Sequence, residues 1–142
     1  MNTIRRFSLL FAALVMLMSF SYANDKEKNK KKAQEIEYIR SAVENGSKGD
    51  WNLYARAAQI CINRGYNMDQ AYEWVSHSID LHNNPLNNEI LGDYYMRMGD
   101  TIGAYEVYHD TVSKFMFEMK DEELSRLQLK IRMVTNELRK NP

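Results

Sequence analysis

The sequence predicts an all-α fold built from antiparallel helical hairpins. Three observations point there. No stretch alternates apolar and polar residues over strand length, and runs of Val, Ile and Thr are few. The glycines stand singly, at helix ends or helix contacts, and none forms a Gly-rich loop that could cradle a phosphate. Two helix–loop–helix stretches recur at a fixed interval, with Gly65 and Gly99 34 residues apart. The two prolines in 142 residues, beside nine methionines and nine tyrosines, suit helices throughout.

Taken in order, Lys26 to Glu44 reads as a helix with a polar start and a sparse apolar stripe of Ile36, Ile39 and Val43. "ENGSKGD" breaks it at Gly46 and Gly49. Asp50 is placed to cap a helix over Trp51 to Arg64, and Gly65 sits where a left-handed C-terminal residue is wanted. Asn67 and Gln70, three apart, form a capping-box-like pair that starts a helix reaching His82. Asn84 and Pro85 supply an N-cap and a proline at the first helical position, and Gly99 ends that helix. Asp100 or Thr101 caps the next, which runs on through "SKFMFEMK" to Lys120. Asp121 caps the last, with Glu122 and Glu123 in its favourable first turn, and it reaches Lys140.

The interval extends beyond the two glycines. Tyr54 and Asn88 are also 34 apart, while Ala71 and Ala104 are 33 apart because the first loop carries one extra residue. Paired helices at this period resemble the tetratricopeptide repeat. In the second copy Leu91, Gly92, Tyr95, Gly99, Ala104 and Tyr108 fall where that family has Leu, Gly, Tyr, Gly, Ala and an aromatic. In the first, Tyr54, Ala57, Ala58, Cys61, Gly65, Ala71 and Val75 take the equivalent places, with Cys61 where a tyrosine is usual. Neither copy has the family's proline at its usual position, and the likeness covers residues 50–115. It implies an α-solenoid in which Gly92 and Ala104 are small because paired helices approach closely there. Gly103 is left without a role.

The resemblance also implies where a partner binds. A concave face formed by the first helix of each hairpin would carry Gln59, Ile62 and Asn63 from one copy and Asp93, Met96 and Arg97 from the other. That mixed surface does not reproduce the full set of basic and amide residues with which family members clamp a C-terminal carboxylate, so that mode is not implied. Two repeats are marginal alone, so flanking helices are expected to cap them. Leu124, Leu127, Ile131, Val134 and Leu138 follow a 3-4-3-4 spacing in the last helix. This seam is read as a cap on the second repeat, with a two-stranded homodimer contact as the alternative.

Composition and targeting bound the function. A formal net charge of zero argues against a nucleic-acid binder, which shows a basic excess. Arg5 and Arg6 precede an apolar run from Phe7 to Phe20, followed by "SYAN", as in a secretory signal cleaved after Ala23. Lys26, Lys28, Lys30, Lys31 and Lys32 follow closely and oppose export, which leaves an uncleaved anchor as the alternative. The segments read as a signal over 1–23, a lysine-rich arm and helix over 24–49, two repeats over 50–119 and an amphipathic helix over 120–142. The expected location is periplasmic or secreted, with membrane contact only through the signal.

Candidate chemistry is sparse. His77 and His82 are five apart rather than the four that aligns two histidines on one helix face, so a metal site with Asp80 is not expected. His109 beside Asp110 has no third partner in the sequence. Cys61, the single cysteine, falls on an inward face as a small hydrophobe, with an intermolecular disulfide as the other reading. Trp51, Trp74 and the tyrosines recur at helical intervals and read as packing. "NGS" at Asn45 matches a glycosylation acceptor. The chain is thus expected to be a non-catalytic binding or assembly module for a protein or peptide, without cofactor or metal. The alternatives are a homodimeric structural subunit and a helical accessory of a larger exported system.

Overall fold

A computed structural model describes residues 26–140 of the chain. The apolar segment read as a signal lies outside the described residues. Those residues form six helices and no strand. Helix α1 covers 26–45. The others are α2 (Trp51–Arg64), α3 (Met68–Leu81), α4 (Pro85–Met98), α5 (Thr101–Phe115) and α6 (Asp121–Lys140). Among the described residues no helix is long and apolar enough to cross a membrane.

The chain divides into two compact units, Met1–Tyr38 and Ile39–Pro142. In the first, residues 26–38 are helical and mostly exposed, and Lys31 pairs with Glu27 one turn back at 2.8 Å. The second holds the core and the site.

Local chemistry explains the helix ends. Asp50 accepts from the backbone N–H of Asn52 and Leu53, and Asn84 accepts from that of Asn87. Pro85 opens α4, where its missing N–H is no loss. Gly65 and Gly99 both adopt left-handed backbone, at φ 67° and 82°. Each occupies the position where a side chain would be strained. The anticipated capping box at Asn67 is absent. Asn67 is itself left-handed, at φ 51°, its side chain caps nothing, and Gln70 donates instead to Glu73. Two left-handed residues within three positions are how the longer first loop closes.

Helices α2 with α3, and α4 with α5, form the two hairpins, and α6 folds back onto α5. Helix α5 stops at Phe115 rather than running on to Lys120. The N–H groups of Glu118 and Met119 both donate to the Phe115 carbonyl, closing the turn that sends α6 back. Asp121 is the first residue of α6 and not its cap. The Lys120 carbonyl accepts from Leu124, and the Glu123 carboxylate accepts from the Lys120 N–H. That is half of a capping box, one residue earlier than the sequence suggested.

The core has two parts. The first gathers Ile39, Ala55, Ala57, Ala58, Cys61, Ile62, Ala71, Trp74, Val75 and Ile90. The second gathers Ala104, Tyr108, Leu127 and Val134, with Tyr95, Ile131 and Leu138 against it. The small residues expected at the hairpin contacts, Ala58, Ala71, Gly92 and Ala104, are all buried. Cys61 is fully buried, so an intermolecular disulfide has no access to it in the folded chain. A polar tie joins the hairpins: Asn87 Nδ2 donates to the carbonyls of Ser78 and His82, and Ser78 Oγ donates to the Trp51 carbonyl.

Candidate docking groove

Five of the six residues assigned to the concave face line one groove. Ile62, Asn63, Asp93, Met96 and Arg97 meet Tyr108, Lys130, Met133 and Val134 around a cavity of about 390 Å³. Gln59 is not among its walls. The groove therefore joins α2 and α4 to α6, which the sequence read as a cap or a homodimer contact and not as a wall of the site.

Behind its polar wall lies an ionic network that sequence reasoning missed. Glu89 is 5% exposed. Arg126 donates to it through Nε at 2.8 and 3.0 Å and through Nη2 at 2.8 Å, and Lys130 Nζ lies 2.8 Å from Oε1, which Arg126 Nε also reaches. Lys130 also bonds both oxygens of Asp93, at 2.5 and 2.7 Å. The Tyr108 hydroxyl donates to Asp93 at 2.6 Å. Asp93 is consequently no free recognition group but the anchor of α6 on α4. The signal was present in the sequence as two pairs of equal spacing and opposite sign, Glu89 with Asp93 and Arg126 with Lys130.

Electrostatics follow from this arrangement. Burial alone would raise the Glu89 carboxyl, but hydrogen bonds from Arg126 and Lys130, with their charge, bring it below the ordinary glutamate range. Burial first, and then donation to the Asp93 carboxylate, push the Tyr108 hydroxyl far up, so it remains a donor. The Lys130 ammonium also lies 5.6 Å from the Tyr108 ring centroid.

The lowered Glu89 makes a pH prediction. A carboxyl depressed in the folded state adds stability above its unfolded value, and that stability is lost as pH falls through the folded value. The melting temperature should therefore fall on acidification below about pH 4.3. Glu89→Gln should flatten that dependence while lowering stability at neutral pH, read by melting curves between pH 2.5 and 7.

Arg97 reaches across the groove. A Cβ on Gly65 would overlap its guanidinium, so glycine there serves both the left-handed cap and the passage of this side chain. The Arg97 side chain forms no ion pair or hydrogen bond with any described residue. With Lys130 held by two carboxylates, Arg97 is the groove's uncommitted cation, set among Ile62, Met96 and Met133.

The remaining candidates have structural surroundings. His77 meets the edge of Tyr54, His82 lies against Trp51, and His109 stacks on Tyr105. Among the described residues no three His, Cys, Asp or Glu side chains converge as metal ligands. Leu127 and Val134 of the seam are buried against α5, and Leu124, Ile131 and Leu138 are half-buried. A smaller cavity of about 240 Å³, lined by both polar groups such as Asn83, Asn88 and Lys114 and apolar ones such as Val107 and Phe115, gathers none of the assigned residues. Comparison of the chain with protein-family models, with curated proteins and with solved structures gives no match.

Proposed function

We propose that this chain is an exported, tetratricopeptide-like docking module, which binds a protein segment in the groove between α2, α4 and α6 and performs no catalysis. One observation carries the reading: five of the six residues assigned to a concave face from repeat position alone line a single cavity. Apolar walls beside one uncommitted cation suit a peptide better than a small polar metabolite. The seam of α6 is consumed inside the chain, which weighs against a homodimer built on it.

A photo-crosslinking amino acid at position 96 tests this. Leu86 is the control, because both side chains are 37% exposed and Leu86 lies outside the groove. Expressed in the native host, the position-96 variant should capture a defined partner that the position-86 variant does not. Equal labelling from both positions would sink the groove as a docking surface.

A further inference from the structure

The turn between α5 and α6 presents an apolar side chain to solvent with no structural need. Phe117 is 93% exposed, whereas Phe115 and Met119 on either side are drawn into the core. Hydrogen bonds from Glu118 and Met119 to the Phe115 carbonyl hold the turn. It is a tied tip rather than a loose end, so little freedom is lost when it docks. Glu118 follows directly, exposed and without an ion pair among the described residues.

We propose that this tip docks in the groove of a second copy of the chain, with Phe117 between Met96 and Met133 and Glu118 on Arg97. The inference rests on the groove being a docking surface. Charge argues for it: the groove's uncommitted group is a cation beside thioethers, and the tip offers an anion beside a phenyl ring. Size agrees, since about 390 Å³ accommodates a single aromatic anchor. The tip cannot reach its own groove. Helix α6 rises about 18 Å between Asp121 and Met133, and the turn lies at its far end. Tip and groove are different patches, so the contact is head-to-tail and open-ended.

The test is mass in solution by light scattering. The purified wild-type protein should grow in apparent mass between roughly 10 μM and 1 mM, the range of a small transient contact. Phe117→Asp and Met96→Glu each change an exposed side chain and should leave the helical spectrum and melting intact, but each should stay monomeric. Mixed one to one, they should form a species of twice the monomer mass and nothing larger, because one supplies the groove and the other the tip. A monomer at every wild-type concentration would overturn the proposal. If position 96 still captures a foreign partner in that case, the groove reading survives without it. Self-association that persists in both single variants and disappears with Leu129→Asp would place the contact on the outer face of α6, and would also overturn the proposal.

Discussion

Gly92→Leu is expected to cost about 3 kcal/mol, the upper end for overpacking a core. A Cβ alone at Gly92 would overlap the Tyr108 ring. That ring is 1% exposed, and its hydroxyl is tied to Asp93, so it has nowhere to go. The better helix propensity of leucine returns under about 1 kcal/mol, too little to offset the clash. Gly103→Leu is the matched control. The nearest atoms to a Cβ there belong to the Asp100 carboxylate, which caps α5 by accepting from the Gly103 N–H. Losing that cap costs about 1 kcal/mol, and removing a glycine from a helix gains nearly as much. Urea denaturation should show a large fall in midpoint for the first variant and little change for the second. Equal losses would mean that the two hairpin helices do not meet at Gly92.

Leu127→Asp should be at least as damaging, about 4 kcal/mol. Leu127 has no exposed surface and packs, with Val134 of the same helix, against Ala104 and Tyr108 of α5. An aspartate there loses the packing and buries a charge away from Arg126 and Lys130, which are already engaged. Because the contact is within the chain, the fall in melting temperature should not vary with protein concentration. Leu129→Asp, two residues on and half-exposed, should change stability by less than about 0.5 kcal/mol. A loss at Leu127 that shrinks as the protein is concentrated would restore the seam to a partner chain.

Helix positions were legible because they are written locally. Asp50, Asn84, Gly65 and Gly99 act within a turn of themselves, and each does what its chemistry predicts. Asn67 shows the limit: "NMDQ" has the spacing of a capping box, but the backbone must first close a three-residue loop, and left-handed Asn67 cannot aim its side chain at the helix. Helix α5 ended early for a related reason. Nothing in "SKFMFEMK" breaks a helix, and the turn is set by how α6 packs, which is not a local property. The groove was half legible. Repeat position found Ile62, Asn63, Met96 and Arg97, but the wall from Lys130 and Met133 comes from a helix with no counterpart in the repeat. Asp93 was assigned a surface and proved to be tied to Lys130 and Tyr108, 37 and 15 residues away.

The network under the groove also decides where α6 stops along its own axis. The seam cannot do this. Sliding the helix by seven residues exchanges Leu124 for Ile131, Leu127 for Val134 and Ile131 for Leu138, so grease meets grease in either alignment. The charges are not periodic in that way. One such step would bring Met133 to Glu89 and Glu137 to Asp93; the opposite step would bring Met119 and Glu123 to those places. Either sets an acid against Asp93 and strands Glu89 without a cation, a penalty that a buried carboxylate makes severe. The apolar stripe thus behaves like an unmarked rail, and Glu89 with Asp93 is the detent that holds α6 at one notch, keeping Lys130 and Met133 at the mouth of the groove.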